Sequence, residues 1–350
     1  MSQEKIRVGV IGAGWWAANT HIPALRAIAG VEIAAACRRD PVRMKEFADV
    51  VGVKSVYLNH EEMLDREKLD AVIVCSPHSL HYSHVKSVLE RRIPVLTDKP
   101  LSIRSSEARE LVELAEAQGT LLAVFFGHAY DSHHRYIARE IREGNIGRVA
   151  HIASAYFANP DSLGFFGNFE FQPNPDEFPI LPTQFRADPE LGGGGYLQDV
   201  GNHALSAMLI GTGMEVAEVS AMMDSSEIDL RATVSLKFTD GAMGTVTIAA
   251  DLRPRVKGYF GYGNFHVTGD TGGFWKHGGD SHLWRQEWGG APETISEERL
   301  PAGTNPDANF IAAIRGEAEL IAPGVEALKC VQAIEAAYLS AKSGAVVKLK

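Results

Sequence analysis

Asp199 and His203 could carry out acid–base chemistry together, because they lie four positions apart in the chain. The apolar spacing of the run GNHALSAML (201–209) predicts a helix, on which two such side chains share one face about 5–6 Å apart. A carboxylate at that distance can orient an imidazole, and histidine is the side chain best suited to proton transfer near neutral pH. The alternative is an acid near the start of a helix beside a histidine that is satisfied in the core.

A second candidate is the G-x-G-x-x-A pattern formed by Gly12, Gly14 and Ala17, which directly follows an apolar run. The first glycine permits a tight turn, the second lets backbone N–H groups approach a pyrophosphate, and a small third residue lets helix and strand pack closely. The positive end of the following helix favours phosphate groups. The pattern therefore predicts a dinucleotide site. Trp15 and Trp16 can cover the cofactor, although large aromatics at such positions more often pack in a core.

The end of the second apolar run indicates which dinucleotide is bound. NAD-binding chains carry an acid about 20 residues after the glycine turn, which binds a ribose hydroxyl. Here Arg38 and Arg39 occupy that place, and Asp40 is followed by a proline that makes it a helix cap. Two guanidinium groups suit a 2′-phosphate, so the sequence favours NADP over NAD. The alternative is a pair of solvated arginines at a strand end.

Five short, almost wholly apolar runs must position these residues. Such runs are typical of strands covered on both faces, as in a parallel sheet. Helical signals lie between them, among them the run 102–119, which ends in glycine. We therefore expect a doubly wound α/β sheet, a Rossmann dinucleotide-binding domain, over residues 1–126. The runs are 6–14, 31–37, 70–77, 93–100 and 121–128.

The remaining residues, 127–350, have a different pattern of apolar and polar residues. Alternating runs at 151–158, 232–252 and 263–269 predict a mostly antiparallel, open-faced sheet, with a hairpin turn at Asp240-Gly241. We expect this α+β domain to bind substrate and to self-associate. Residues 307–343 read as a helix that can pack back on the first domain. Residues 159–195 have no clear periodicity and read as a long functional loop.

Composition excludes several classes of function. Lys and Arg number 34 against 44 Asp and Glu, so a chain with a formal charge of −10 is a poor partner for nucleic acid. No apolar stretch approaches the roughly 20 residues that span a bilayer, and the glycines near the N-terminus argue against a signal peptide. Three cysteines make no disulfide framework. We expect a cytoplasmic protein.

Four motifs in order along the chain resemble the Gfo/Idh/MocA family (glucose–fructose oxidoreductase and inositol dehydrogenase-like proteins) of NAD(P)-dependent oxidoreductases. The resemblance implies a Rossmann domain, a substrate domain on an open-faced sheet, and a homodimer or homotetramer. The motifs are GAGWWAANTHIPAL (12–25), CSPHSLHYSHVKSVLERRIPVLTDKPLS (75–102), GGGGYLQDVGNHALS (192–206) and AIRGEAELIAPGVEALKCVQAIEAAYLSAKSGAVVKL (313–349).

Lys99 follows an apolar strand, at the end where doubly wound sheets bind ligands, and the resemblance makes it the catalytic lysine. Pro100 then fixes the turn, commonly through a cis peptide bond in this family. Asp98 stands where the family usually has glutamate, so the carboxylate is kept but shortened. By the same resemblance Asp199 is the substrate-site acid and His203 the general acid/base.

Other positions follow from the resemblance. Ser206 stands where many members carry another aspartate. His128 and Arg186 are expected to face substrate.

Histidines at 78, 81 and 84 do not share one helical face well, and no cysteine or carboxylate completes a zinc set, so no metal is predicted. The remaining cofactor-binding residues are expected to be Ser76, Pro77, His78, His81, Asp98 and Lys99.

The function expected is reversible hydride transfer between nicotinamide C4 and a carbinol carbon of a sugar, cyclitol or related polyol. Two alternatives stay open. One is a hydrolase or lyase of sugar derivatives that uses tightly held NAD transiently. The other is a non-catalytic NADP-binding sensor or partner subunit, which would need none of Lys99, Asp199 and His203.

Overall fold

The computed structural model describes residues 5–157, 180–250, 262–278 and 281–349. Its first sheet has six strands, all parallel, in the order β3-β2-β1-β4-β5-β6. The expected doubly wound sheet is confirmed, and the short edge strand β3 is an addition to it. The order reverses between β1 and β4, and ligands bind outside the carboxyl ends of strands at such a point. The strands are β1 Ile6–Ile11, β2 Val31–Cys37, β3 Ser55–Tyr57, β4 Ala71–Val74, β5 Val95–Asp98 and β6 Leu122–Phe125.

Helices cover both faces of this sheet, and their ends follow the sequence signals. The Asp40 carboxylate accepts hydrogen bonds from two backbone N–H groups in the first turn of α2. The left-handed Gly119 ends α5, within the run predicted to be helical. The helices are α1 Ile22–Arg26, which continues a helical turn at Ala17–His21, α2 Pro41–Val51, α3 His60–Arg66, α4 His81–Glu90 and α5 Ser105–Gln118.

The second sheet has nine strands among the described residues, in the order β14-β13-β12-β11-β7-β10-β9-β8-β15. Only the β7–β10 pair is parallel within this sheet, so the expected mostly antiparallel sheet is confirmed. Asp240-Gly241 lies in the turn between β9 and β10. The strands are β7 Val149–Phe157, β8 Val216–Met223, β9 Arg231–Phe238, β10 Met243–Ala249, β11 Tyr262–Gly269, β12 Gly272–Lys276, β13 Trp284–Glu287, β14 Glu293–Thr294 and β15 Val347–Lys348.

Helices cover one face of this sheet. Side chains of β9 alternate strictly between exposed and buried, as expected for a sheet with one solvated face. Helices α8 and α10 pack on the buried side, and α10 also contacts α5 of the first sheet. The helices of this half are α6 Ser132–Arg142, α7 Pro189–Gly192, α8 Asn202–Leu209, α9 Pro306–Ile314 and α10 Gly324–Ser343.

The single helix predicted over 307–343 is wrong, because the chain breaks between α9 and α10. Gly316 is left-handed (φ 72°), and Pro323 cannot donate to a helical ladder. The carbonyl of Ala322 instead accepts a hydrogen bond from the N–H of Val124 at the edge of the first sheet. The break therefore lets the C-terminal segment pack on the first sheet.

Two other expectations concern the long loop predicted over 159–195 and the absence of a membrane-spanning segment. Of the irregular run 159–195, residues 159–179 lie outside the described residues, and the rest contains α7. None of the helices in the described part of the chain is long and apolar enough to cross a membrane.

Candidate active site

The glycine turn packs directly on the end of β4. Gly12 has a φ of 88°, and a Cβ there would lie 2.5 Å from the backbone nitrogen of Ser76. Only glycine fits this position. A Cβ on Gly14 would meet the Arg38 guanidinium at 3.3 Å, and Ala17 is fully buried. The glycine at position 12 therefore serves the packing of the turn on β4, and both Gly12 and Gly14 also face the cavity that begins at this turn.

A cavity of about 920 Å³ runs from this turn to the second sheet. Its lining joins residues from both halves of the chain, so Lys99 and His203 face one cavity. Ala17 and His128 do not belong to the lining. The predicted site residues that line it are Gly12, Gly14, Trp15, Trp16, Arg38, Arg39, Ser76, Pro77, His78, His81, Asp98, Lys99, Arg186, Asp199 and His203.

Lys99 and Arg186 converge on the carboxylate of Asp199. Lys99 Nζ lies 2.5 Å from Asp199 Oδ1 and also donates to the Asp199 carbonyl oxygen. Arg186 Nε lies 2.9 Å from Oδ2, and His78 Nε2 is 3.6 Å from Oδ1. The side chains of Lys99, Asp199 and Arg186 are 11%, 7% and 15% exposed. This buried ion cluster links the end of β5 to the segment before α8.

The cluster perturbs the pKa values of Asp199 and Lys99. Burial disfavours the Asp199 carboxylate, but the charges of Arg186 and Lys99 outweigh it and hold the pKa of Asp199 well below its usual range. Burial lowers the pKa of Lys99, and Arg186 lowers it further, although Asp199 opposes both. Asp199 is therefore an anion at neutral pH, and Lys99 is a cation that loses its proton more easily than an exposed lysine does.

The expected pairing of Asp199 with His203 is not found. Residues Leu197–Gly201 form a wider, π-type helical turn, on which residues four apart are not stacked as on an α-helix. The hydrogen bonds and ion pairs of Asp199 go to Lys99, Arg186 and His78 instead. His203 Nδ1 is buried and has no hydrogen-bond partner among the described residues.

His203 is a neutral imidazole at the cavity wall. Burial lowers its pKa well below the ordinary value, and the nearby Lys99 and His128 lower it further. The His128 ring lies 5.2 Å from the His203 ring, centroid to centroid, and stacks on His134 on its other side. His128 thus supports His203 from behind the cavity. Ser206 is fully buried and donates to the His203 carbonyl oxygen.

His81 braces the lysine turn. Its Nδ1 faces the carbonyl oxygen of Pro100 at 2.6 Å and its Nε2 faces that of Ser76 at 2.7 Å. The side chain is fully buried, and the peptide bond between Lys99 and Pro100 is cis. Burial lowers the pKa of His81, so its neutral ring donates one hydrogen bond to one of these carbonyl oxygens and packs against the other. The ring thereby fixes the backbone around Lys99.

Asp98 is held by Trp16, which sequence reasoning expected to cover the cofactor, and by His21, which it did not single out. Its Oδ1 accepts a hydrogen bond from Trp16 Nε1 at 2.9 Å and lies 3.3 Å from His21 Nε2. His21 in turn contacts Asp307, which is 286 residues away in sequence. No local signal could have paired these two residues.

The end of the cavity beyond β2 also holds His60, which sequence reasoning missed, and His84, which it weighed only as a metal ligand. His60 and His84 lie with ring centroids 4.4 Å apart, and both line the cavity. Arg38 Nη1 donates to the Ala13 carbonyl oxygen at 2.9 Å, and Arg39 is exposed at the same end. This end of the cavity is therefore rich in nitrogen donors.

One group of three side chains has the spacing of a metal site. Ligand atoms of His21, Cys75 and Asp98 lie within 4.8 Å of one another. Both nitrogens of His21 already face carboxylates, and burial raises the pKa of the Cys75 thiol to about 12. These three side chains therefore suit a protonated His21 better than they suit a metal ion.

Comparison with known proteins identifies the family. Residues 6–126 match the family model described as "Oxidoreductase family, NAD-binding Rossmann fold", GFO_IDH_MocA. Residues 134–275 match the model of the GFO/IDH/MocA C-terminal domain. The chain belongs to the Gfo/Idh/MocA family. The two matches follow one another along the chain and together take in the first sheet and strands β7 to β12 of the second, except the last residue of β12.

Individual members of the Gfo/Idh/MocA family share sequence and fold with this chain. It is 30% identical over 223 residues to dTDP-3,4-didehydro-2,6-dideoxy-alpha-D-glucose 3-reductase of Streptomyces antibioticus, a match that spans 64% of this chain and 62% of that reductase. It is 28% identical over 246 residues to D-xylose 1-dehydrogenase (NADP(+)) 2 of Haloferax volcanii, spanning 69% of each. The WlbA dehydrogenase of Bordetella pertussis, solved with NADH and UDP-GlcNAcA, superposes with a TM-score of 0.79 at 20% identity, over 99% of both chains.

Proposed function

We propose that this protein is an NAD(P)-dependent oxidoreductase that transfers a hydride between nicotinamide C4 and a carbinol or carbonyl carbon of a sugar, cyclitol or related polyol. The observation that carries the proposal is the shared cavity. It joins a turn that has glycine at positions 12 and 14 to Lys99, Asp199 and His203. The Gfo/Idh/MocA relatives named above act on sugars.

The residues present fit a dinucleotide. The backbone at Gly12 and Gly14 is open to a pyrophosphate, and the cavity leads from there to Lys99 at the end of β5. When bound, the dinucleotide would supply the hydride acceptor or donor. The protein would supply position and charge.

Each of three side chains has a distinct role in this proposal. Neutral His203 accepts the hydroxyl proton during oxidation and returns it in reduction. Lys99 donates a hydrogen bond to the same oxygen and stabilises its developing negative charge. Asp199 fixes the Lys99 ammonium and the Arg186 guanidinium at the cavity wall, beside the place proposed for the substrate.

The test is a panel of sugars and polyols assayed with both NAD and NADP, in the wild type and in Lys99→Met. We expect the variant to lose turnover by about 10²–10⁴-fold, with little change in the Kd for the dinucleotide. Lys45→Met is the matched control, because that lysine is exposed on α2. Near-normal turnover of Lys99→Met would contradict the proposed role.

The same panel separates the alternatives. A hydrolase or lyase would form product with no net change in absorbance of reduced nicotinamide. A sensor would bind the dinucleotide and turn over none of the substrates. The buried Lys99–Asp199 pair beside an imidazole is a costly arrangement that a sensor does not need.

For the cofactor, we propose NADP, bound at its 2′-phosphate by Arg38 and Arg39. Both line the cavity beyond β2, where NAD-specific chains carry an acid. We expect Arg39→Gln to raise the Kd for NADPH and leave that for NADH unchanged. Arg43→Gln is the control, since Arg43 lies one turn further along α2 and is outside the cavity lining.

Self-association and localisation stay predictions. The exposed residues of β9, such as Thr233 and Ser235, belong to the open face of the second sheet. We propose that a second copy covers this face in a homodimer or homotetramer. Sedimentation velocity tests this directly, and a monomer at micromolar concentration would contradict it. Placement in the cytoplasm is tested by fractionation.

A further inference from the structure

Three ionisable side chains from distant parts of the sequence meet at the cavity wall, where Asp98 lines the cavity and His21 and Asp307 lie behind it. His21 Nδ1 lies 2.7 Å from Asp307 Oδ1, and His21 Nε2 lies 3.3 Å from Asp98 Oδ1. His21 and Asp307 are 0% and 1% exposed, and Asp98 is 16% exposed. This trio joins α9, the start of α1 and the end of β5, directly before Lys99.

The surroundings of His21 require its protonated form. A neutral imidazole carries one N–H and can donate to only one of the two carboxylates. The Cys75 thiol from the end of β4 also faces the ring, and the uncharged Phe125 ring packs edge-on against it. Burial opposes protonation, but the charge of Asp307 and the hydrogen bonds to Asp307 and Asp98 outweigh it and hold the pKa of His21 well above its ordinary value.

The contacts of Asp98 are one-sided. Both hydrogen bonds that the described residues make with this carboxylate, from Trp16 and from His21, use Oδ1. Asp98 also lines the cavity. The second oxygen, Oδ2, is therefore the one left for a donor inside the cavity.

We propose that His21 and Asp307 are positioning residues for the dinucleotide. The cationic His21 ring, held by Asp307, fixes Oδ1 of Asp98 against Trp16. It thereby presents Oδ2 to a hydrogen-bond donor on the nicotinamide half, a ribose hydroxyl or the carboxamide. The inference rests on the proposed function, because it needs a dinucleotide in the cavity.

The key variant is the double substitution His21→Leu/Asp307→Ala. His21→Leu alone leaves the Asp307 carboxylate buried and unpaired, which destabilises the fold. The double variant removes both charges and keeps nearly the same combined volume, so we expect folding stability close to that of the wild type. Asn309→Ala is the matched control. Asn309 is buried on the same helix, and its side-chain hydrogen bonds within the described part of the chain go to Glu319, Ile321 and Tyr130 rather than to His21.

Two measurements test the proposal. In ¹⁵N-histidine NMR of the wild type, we expect both nitrogens of His21 to be protonated at pH 8, the signal being assigned by its loss in the double variant. In fluorescence titrations with NADH and NADPH, we expect the Kd of the double variant to rise at least tenfold. The Asn309→Ala variant should bind like the wild type even if its Tm falls.

The outcomes distinguish this inference from the proposed function. A double variant that folds and binds dinucleotide as tightly as the wild type would overturn the positioning role. A neutral His21 at pH 8 would do the same. A wild type that binds neither dinucleotide would overturn the proposed function and this inference with it.

Discussion

Replacing Asp199 with asparagine removes the one carboxylate on which Lys99 and Arg186 converge. The shape of the side chain is kept and its charge is lost. Lys99 Nζ and Arg186 Nε lie 2.5 Å and 2.9 Å from the two Asp199 oxygens. In Asp199→Asn, both cations remain mostly buried with no anion between them.

The size of the effect follows from this geometry. An opposite charge at such a distance shifts a pKa by about 1–3 units, or about 1.4–4 kcal/mol. Breaking a buried pair by removal of one partner costs about 3–5 kcal/mol, which is a similar range. Burial already lowers the pKa of Lys99, and Asp199 opposes that effect. We therefore expect the pKa of Lys99 in Asp199→Asn to fall by about 1–3 further units.

The readout is the alkaline limb of the pH profile. Oxidation needs Lys99 protonated, so kcat/KM falls as pH rises through the pKa of Lys99, and the limb should move to lower pH in Asp199→Asn. The pH dependence of acetylation of Lys99, followed by mass spectrometry, measures the same pKa without any substrate. Asp49→Asn is the control, because Asp49 lies 2.6 Å from Lys45 but both side chains are more than half exposed. The reasoning would be refuted if the alkaline limb of kcat/KM and the pH midpoint of Lys99 acetylation stayed in place or moved to higher pH.

Two further predictions concern stability. Gly12→Ala should lower the free energy of unfolding by more than the about 1–2 kcal/mol that a left-handed backbone alone costs, because its Cβ meets the Ser76 backbone. Gly14→Ala should cost less, because its Cβ meets only a flexible guanidinium. Equal losses of unfolding free energy in urea denaturation would contradict this. Burial lowers the pKa of His84 and His128 to about 3, so both are neutral when folded and take up protons on unfolding below about pH 6.5. Stability should fall as pH drops from 6.5, by up to about 1.4 kcal/mol per pH unit for each histidine. His84→Gln should reduce that slope, and an unchanged slope would show that His84 is not buried as a neutral ring.

Local sequence patterns were sufficient to predict the first sheet and its glycine turn. Strands buried on both faces give continuous apolar runs, and the turn needs a glycine at Gly12 because a neighbouring strand end leaves no room for Cβ. The break between α9 and α10 was also readable in principle. Gly316 and Pro323 are local signals, and reading 307–343 as one helix gave too much weight to its apolar spacing.

The partners of the site residues could not be read in the same way. Spacing on an assumed α-helix paired Asp199 with His203, but a wider helical turn and two distant cations gave the carboxylate other partners. Lys99 lies 100 residues before Asp199, and no periodicity relates them. Contacts of that range depend on how the two sheets meet, which is decided by packing over the whole chain.

The charges assembled at this end of the cavity bear on the direction of the proposed reaction. Around Asp199, the two cations Lys99 and Arg186 outnumber the single carboxylate. This local excess of positive charge favours negative charge on a substrate oxygen beside Lys99, although the Asp98 carboxylate at the same end opposes it. The same excess disfavours a proton on His203, whose pKa Lys99 helps to lower. At neutral pH the ring is therefore a base, which is the state that oxidation of an alcohol needs, whereas reduction needs the rarer protonated ring. Oxidation should thus proceed with the neutral His203 that is present at neutral pH. Reduction should accelerate as the pH falls toward the lowered pKa of His203.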